Sequence, residues 1–193
     1  VWTTTPWTLV SNLALCVNPK LDYCQIEFQD KKYLIAKECI SRHFKVEEVK
    51  VLQNFNGKEL LGIEYQPLYP YFKERYQGFR ILNDTYVESG SGTGIVHIAP
   101  AFGKDDYRVC MENNIISKDN IPPCPLDPNG YFTDDVVDFK GQYIKDADKI
   151  IIKDLKSRGM VFSHKSENHE YPFCWRSNTP LIYKAVPSWF VRV

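Results

Sequence analysis

The sequence predicts an α+β domain dominated by β-strands, with a distorted β-barrel core and helices at its periphery. Short segments of alternating or β-branched residues, each bounded by turn residues, recur along the first hundred positions. Two later segments instead carry apolar residues at helical spacing. No internal repeat or low-complexity tract is visible, and 193 residues suit one domain, so residues 1–193 are expected to form a single domain.

The expected elements follow one another along the chain with turn residues between them. Strands are expected over 14–17, 23–28, 32–35, 45–52, 80–83, 87–96, 160–164 and 181–186. Helical segments are expected over 38–44, 104–113 and 146–157. On the last of these helices, Ile150, Ile151 and Leu155 are expected to share one apolar side. The strand-like ends of the chain, at 1–3 and 189–193, predict a segment excised from within a longer chain.

Composition excludes several classes of function. The 24 basic and 24 acidic residues balance, so bulk electrostatics gives no reason to bind a polyanion. No apolar run is long enough to span a membrane. The six cysteines form no C-x-x-C pair, which indicates a reduced, cytoplasmic setting. His164, His169 and Cys174 are five residues apart, wider than zinc ligands prefer, so no metal site is predicted.

The stretch 92–107 is the most informative part of the chain. Glycines, including Gly94, open an apolar run that contains His97, and the run ends before a glycine and two aspartates. This order predicts a strand, a tight loop and the first turn of a helix. One carboxylate suffices to favour the positive end of the helix dipole, by about 0.3–1 kcal/mol. We therefore expect one capping and one functional role for Asp105 and Asp106, in either order.

The expected strand gives His97 two possible roles. In an extended chain His97 shares one face with Ile95 and Ala99, whereas Val96 and Ile98 share the other face and suit a core. One interpretation is a partly buried histidine that is hydrogen-bonded to backbone. The other is a side chain that faces a site built at the end of the strand.

Hydroxyl groups are concentrated near the start of the chain. Thr3, Thr4 and Thr5 precede a proline that favours an extended backbone, and Trp7 follows. Such a rigid, uncharged rim suits hydrogen bonds to sugar hydroxyls, phosphate or an ester oxygen, with Trp7 available for stacking. The alternative is a threonine-rich strand, because threonine is common in pleated sheets.

Together, these two stretches resemble the editing domain of isoleucyl-tRNA synthetases. The segments 171–176 and 180–183 extend the resemblance to the whole chain. Valyl and leucyl relatives usually carry Thr-Arg-Pro and an acidic residue where this chain has 5–7, and usually have no histidine at the position of His97. Both differences point to the isoleucyl branch, and the insert around 119–132 resembles the eukaryotic cytosolic type.

The resemblance implies the fold of the class I valyl, leucyl and isoleucyl editing domains, and hydrolysis of the ester of valine mischarged onto tRNA(Ile). A pocket built for isoleucine gains only about 1–3 kcal/mol from the extra methylene, a range for which isoleucyl-tRNA synthetase is itself the standard example. A second pocket that excludes isoleucine can then hydrolyse the valine product. The implied partners are the acceptor end of tRNA(Ile) and the catalytic core of the same synthetase chain. No cofactor is implied, and the isolated domain is expected to be monomeric.

The resemblance also implies roles for individual residues. Asp106 would bind the α-ammonium group of the amino acid, and His97 would line the side-chain pocket and exclude isoleucine. The threonines would contact the ester and the terminal ribose and orient the water, Trp7 would pack near the terminal adenosine, and Asn12 would brace the loop. The expected catalytic residues are Asp106, Thr3, Thr4 and Thr5, and the expected substrate-binding residues are His97, Trp7, Asn12, Asp105 and Gly94.

Two other functions remain open at the level of sequence. A non-catalytic module that binds the tRNA acceptor end would bind without ester turnover, and the neutral charge argues against it. A purely structural insertion would give no reason for a hydroxyl run and a His–Asp unit to occur together.

Overall fold

The computed structural model describes residues 1–165, 171–189 and 191, which form two compact units. The first unit comprises Val1–Thr4 and Thr8–Pro123, and the second comprises Thr5–Trp7 and Cys124–Val193. The division falls inside the hydroxyl-rich stretch at the start of the chain. The single domain expected over residues 1–193 stays a prediction.

Two three-stranded sheets lie in the first unit. Their strands are β1 (Ala14–Val17), β2 (Asp22–Phe28), β3 (Lys31–Ala36), β4 (Lys50–Asn56), β5 (Ile81–Asn83) and β6 (Ile95–Ile98). In the first sheet β1 is central, parallel to β5 and antiparallel to β6, so that Leu15 pairs with both Ile81 and His97. In the second sheet β2 pairs antiparallel with β3 and β4. This topology places His97 on an outer strand of the first sheet.

A close backbone contact joins β3 to the turn before β6. The Ala36 backbone N–H donates to the Thr93 carbonyl at 3.0 Å, and the Tyr23 hydroxyl donates to the Gly94 carbonyl at 2.7 Å. Gly94 has a φ of +72°, and a Cβ atom there would lie 2.4 Å from the Cβ of Ala36. Glycine is therefore required at position 94 by its conformation and by its contact with β3. Its predicted contact with a substrate stays a prediction.

The helices follow the sequence pattern closely. They are α1 (Ile40–His43), α2 (Lys104–Glu112) and α3 (Ile144–Ser157), and short 3₁₀ turns occupy Pro6–Ser11, Lys37–Cys39, Val46–Glu48, Gly57–Leu60 and Asp134–Phe139. The second unit contains α3, which buries Ile144, Ala147, Ile151 and Leu155 at intervals of three and four residues. Ile150, which was expected on the same side, is 40% exposed.

Several expected strands are wrong. Residues 87–94 are irregular, with bends and one turn, and β6 begins only at Ile95 because the positive φ of the preceding glycine ends the extended conformation. Residues 160–164 and 181–186 are not strands, and the side chains of Phe162 and Val186 are exposed rather than packed on a buried face. Residues 1–5 also lie outside any strand.

The segment predicted over 45–52 divides into a 3₁₀ turn and the start of β4 at Lys50. The prediction for 189–193 falls largely outside the described residues. Sheets with helices beside them confirm the α+β class, while closure into a barrel stays a prediction. Among the described residues, no helix combines the length and apolar character needed to cross a membrane.

Candidate functional site

His97 is buried in a hydrogen-bonded network of side chains. It is 9% exposed, its Nε2 lies 3.0 Å from the Thr8 hydroxyl, and its Nδ1 lies 3.4 Å from the Asn12 amide nitrogen. The neighbours that share its face, Ile95 and Ala99, are buried as well. The histidine is therefore satisfied by side chains, whereas the simpler interpretation from sequence expected backbone partners.

The two faces of β6 differ less than expected. Ile98 is fully buried, as expected for the core face, but Val96 on that face is only half-buried. The expectation that Val96 packs in the core is wrong in this respect. Because the opposite face is also covered, the alternation of residues along β6 does not distinguish a core face from a site face.

Burial sets the protonation state of His97. It lowers the pKa of the imidazole to about 4, because a cation there would lose its hydration. At neutral pH the ring is uncharged, with one nitrogen as donor and the other as acceptor. A neutral imidazole with such a low pKa is a weak base and suits the wall of a pocket better than proton abstraction.

The carboxylate of Asp106 lies at the carboxyl end of β6. Its Oδ2 accepts a hydrogen bond from the Ala99 backbone N–H at 2.8 Å, two residues beyond His97. The N-cap of α2 is Gly103, and a Cβ atom there would lie 2.7 Å from the Asp106 Cγ. The side chain of Asp106 thus folds back over the glycine, and a larger residue at position 103 would displace its carboxylate. One hydrogen bond and two backbone steps connect Asp106 to His97.

The carboxyl group of Asp106 titrates close to neutrality. Burial raises its pKa to about 6, the charge of Asp105 adds to this effect, and the Ala99 hydrogen bond opposes it. Asp106 is therefore mainly ionised at pH 7, although a buried carboxylate is costly. An ammonium group bound beside it would offset that cost and lower the pKa.

The structure assigns different environments to the two adjacent aspartates. Asp105 is exposed and pairs with Arg108 at 3.2 Å, whereas Asp106 points back to β6. Arg108 also contacts Asp84 at 2.8 Å and holds the pKa of that carboxyl below its usual range through this hydrogen bond. The ion pair at the helix start thus belongs to Asp105, and the half-buried carboxylate to Asp106. The roles of both residues in binding stay predictions.

The hydroxyl-rich start of the chain contacts β6 and the turn before it. A Cβ atom on Gly92 would lie 3.4 Å from the Cβ of Trp2, and Thr8 bonds to His97. Thr3 is half-buried and Thr4 exposed, and both lie between these two contacts in the chain. Their predicted contacts with an ester stay predictions.

Thr5 and Trp7 belong to the second unit. The backbone N–H of Trp7 donates to the Asp148 Oδ1 at 2.8 Å, and the residue is 4% exposed. Stacking of the indole on an adenosine would require this packing to open. The predicted roles of Thr5 and Trp7 are not tested by these contacts.

Asn12 is central to the network around His97. Its amide nitrogen donates to the Ala14 carbonyl at 2.8 Å and lies 3.4 Å from the Ile98 carbonyl. Its amide oxygen accepts a hydrogen bond from the Tyr65 hydroxyl. Sequence reasoning missed Tyr65, which has no motif around it, and gave no role to Thr8, although Thr8 stands in the hydroxyl-rich stretch.

Neither a metal site nor a cleft adds further candidates. His169 lies outside the described residues, and within those residues no cluster of His, Cys, Asp or Glu is arranged to hold a metal ion. A cleft of about 240 Å³ in the first unit is lined by Asp22, Lys37, Asn54, Phe55, Asn56 and Glu59. None of the candidate residues lines that cleft.

Asp106 and His97 are expected to give the free energy of unfolding opposite dependences on pH. The raised pKa of Asp106 stabilises the fold at low pH, and this contribution is lost as pH rises from about 4 to about 6. The lowered pKa of His97 stabilises the fold at high pH, and this contribution is lost as pH falls from about 6.5 to about 4. Each is worth about 3 kcal/mol, so they largely cancel in the native chain.

Single substitutions should separate the two contributions. In urea unfolding between pH 4 and 7, Asp106→Asn should lose stability on acidification more steeply than the native chain. His97→Gln should instead gain stability relative to the native chain over the same range. Parallel curves for the native chain and both variants would contradict the burial of these two groups.

Comparisons with known proteins give the family. No family model matches the chain. The isoleucine–tRNA ligase, cytoplasmic, of Schizosaccharomyces pombe is 52% identical over 199 residues, covering all of this chain and 19% of the relative. The enzyme of the same name from Mus musculus is 53% identical over 197 residues, covering all of this chain and 16% of the relative. The chain thus spans less than a fifth of the length of these curated relatives.

Two solved structures are similar to this chain in fold. A structure described as GlLeuRS-CP1 superposes with a TM-score of 0.64 at 18% identity, over 86% of this chain and 82% of that one. The P. knowlesi cytosolic leucyl-tRNA synthetase editing domain gives a TM-score of 0.58 at 13% identity, over 82% and 80%. The relatives named cytoplasmic agree with the predicted cytosolic type and location. The chain therefore belongs to the isoleucyl-tRNA synthetase family, as a segment of it with the fold of the class I editing domain.

Proposed function

We propose that this chain hydrolyses the ester bond of valine mischarged onto tRNA(Ile), as the post-transfer editing domain of an isoleucyl-tRNA synthetase. The observation that carries the proposal is the junction at the end of β6, where His97 and the carboxylate of Asp106 are joined through the Ala99 backbone. Identity of about one half to isoleucine–tRNA ligases supports the choice of tRNA and amino acid. The editing domains of leucyl enzymes with this fold support the reaction type.

The charge at the junction suits a substrate that carries an ammonium group. The first turn of α2 presents backbone N–H groups, which repel a cation. The ionised, half-buried Asp106 supplies the compensating negative charge at that point. An aminoacyl ester with its free α-amino group would be held by this contact, with its side chain directed toward His97.

Positioning suffices for the chemistry that we propose. An aminoacyl ester is already activated, so a correctly placed water and carbonyl supply much of the rate. His97 has too low a pKa to be an effective base at pH 7. The threonine hydroxyls Thr3, Thr4 and Thr5 would orient the water and the ester oxygen, with help from a neighbouring ribose hydroxyl.

The partners in this proposal are the acceptor end of tRNA(Ile) and the catalytic core of the same synthetase chain. The net charge of zero favours contact with a few terminal nucleotides over an extended polyanion surface. Affinity for the body of the tRNA would then come from the remainder of the synthetase. Neither a metal nor a cofactor is needed for the reaction proposed.

The test is deacylation of valyl-tRNA(Ile) by the chain, followed as loss of radiolabelled valine, beside isoleucyl-tRNA(Ile) as the protected substrate. We expect the valyl ester to be hydrolysed and the isoleucyl ester to survive. A full-length synthetase serves as the positive control, because the chain alone lacks the rest of the enzyme that binds the tRNA. Binding of the acceptor end without turnover in both proteins would favour the non-catalytic module instead.

A further inference from the structure

The orientation of the Asn12 amide is defined by its neighbours. Its nitrogen faces two carbonyl oxygens, those of Ala14 at 2.8 Å and Ile98 at 3.4 Å, which need a donor opposite them. Its oxygen faces the Tyr65 hydroxyl, which donates to it. In the reverse orientation the amide oxygen would face the two carbonyl oxygens, and the Tyr65 hydroxyl would lose the oxygen that accepts its hydrogen bond. The amide therefore presents N–H to its surroundings at β6.

The amide in turn selects the tautomer of His97. One of the two Asn12 amide hydrogens is directed to the Ala14 carbonyl, and the other is shared between the Ile98 carbonyl and the Nδ1 of His97, each 3.4 Å from the nitrogen. Because an amide nitrogen does not accept hydrogen bonds, Nδ1 is the acceptor in its contact with this group. In a neutral imidazole the proton then resides on Nε2, which lies 3.0 Å from the Thr8 hydroxyl and donates to it. A chain of hydrogen bonds thus runs from Tyr65 through Asn12 and His97 to Thr8.

Tyr65 is held independently of the residues that it orients. Its backbone N–H donates to the Phe79 carbonyl at 2.9 Å, and its ring packs edge-on against Phe79 with 6.2 Å between ring centroids. Burial raises the pKa of the phenol, so the hydroxyl keeps its proton and remains a donor at every physiological pH. Fixed in this way, the hydroxyl anchors the oxygen end of the Asn12 amide.

We propose that Tyr65 is a positioning residue for specificity: through the Asn12 amide it fixes the tautomer and ring orientation of His97, and so the exclusion of isoleucine. The part on specificity rests on the proposed function, whereas the part on the tautomer does not. Sequence separation hides this role, because Tyr65 lies 53 positions beyond Asn12 in the chain.

Loss of the hydroxyl has a defined consequence. In Tyr65→Phe the Asn12 oxygen becomes a buried acceptor without this donor, which is costly. The amide plane is then free to turn toward another donor, and its N–H leaves the Nδ1 of His97. Both tautomers of His97 become populated, and the imidazole is no longer held at one angle.

The first readout needs no activity. The ¹⁵N shifts of the His97 ring at pH 7 should show Nε2 protonated and Nδ1 unprotonated in the native chain, and averaged values in Tyr65→Phe. The matched control is Tyr76→Phe, which removes a hydroxyl that donates to the Ile121 carbonyl at 2.7 Å. Its His97 shifts should match those of the native chain. The opposite tautomer in the native chain, or unchanged shifts in folded Tyr65→Phe, would overturn the proposal.

The second readout is the ratio of isoleucyl-tRNA to valyl-tRNA hydrolysis. Loss of one hydrogen bond should raise this ratio about two- to tenfold in Tyr65→Phe, and Tyr76→Phe should leave it unchanged. A changed tautomer with an unchanged ratio would overturn the part on specificity. Absence of any hydrolysis by the native chain and by the full-length enzyme would overturn the proposed function, while the ring shifts would still decide the role of Tyr65.

Discussion

Replacement of Asp106 by asparagine is expected to slow hydrolysis of valyl-tRNA(Ile) by a factor on the order of 100 or more, because the substrate loses the charge that positions it. Asparagine keeps an oxygen for the Ala99 N–H, so the end of β6 should keep its geometry. The variant should also be more stable at pH 7, because it removes a costly buried charge. Single-turnover deacylation, with unfolding measured on the same sample, checks both effects.

Two comparison variants test whether the loss of activity comes from the charge of Asp106 itself. Asp106→Ala should be equally inactive but less stable than Asp106→Asn, because it leaves the Ala99 N–H without that acceptor. Asp105→Asn should reduce the rate much less, because the Asp105 carboxylate is exposed and already paired with Arg108. Near-normal turnover by a folded Asp106→Asn variant would remove the ammonium contact from the mechanism. A large loss confined to Asp105→Asn would reverse the roles of the two aspartates.

Replacement of His97 by alanine is expected to make the chain hydrolyse isoleucyl-tRNA(Ile). One methylene group separates the two amino acids, and a pocket can discriminate on that basis by about 10- to 200-fold, a range for which isoleucyl-tRNA synthetase itself is the standard example. An imidazole is larger than a methylene group, so its removal should abolish most of that discrimination. The measurement is the ratio of isoleucyl to valyl deacylation rates, with valyl hydrolysis expected to persist.

A second histidine supplies the control for this experiment. His43 also lies in the first unit, with its Nε2 2.7 Å from the Gly92 carbonyl, and it is outside the proposed site. His43→Ala should leave the ratio of the two rates unchanged. If a folded His97→Ala variant still protects the isoleucyl ester, the imidazole is not the size filter and another part of the pocket excludes isoleucine.

The elements that sequence predicted best are those with strong local signals. The strand at 14–17 is found with the expected bounds, and α2 differs from its prediction by one residue. The predicted strand over 87–96 failed because a glycine with positive φ meets a neighbouring strand at Gly94, a tertiary contact that no local pattern reveals. Apolar character at 181–186 likewise predicted a strand without showing whether a partner strand was present.

The candidate site likewise combines residues that the sequence could predict with residues that it could not. His97 and Asp106 lie nine residues apart in one motif, and the short loop between them made their proximity predictable. The local pattern left open which of Asp105 and Asp106 is buried, because that depends on Arg108 and the Ala99 N–H. Tyr65 left no local signal, since one tyrosine in a stretch rich in tyrosine and proline does not indicate its distant partner.

The glycine at the start of α2 also limits how this protein can be stabilised. Serine or aspartate at position 103 would normally be a conservative improvement, worth a few tenths of a kcal/mol over glycine as a helix cap. Here an added Cβ atom would displace the carboxylate of Asp106, because it would lie only 2.7 Å from the Asp106 Cγ. A thermostabilised variant designed by helix-capping rules alone would therefore move the carboxylate on which the proposed hydrolysis depends, in return for a marginal gain in melting temperature.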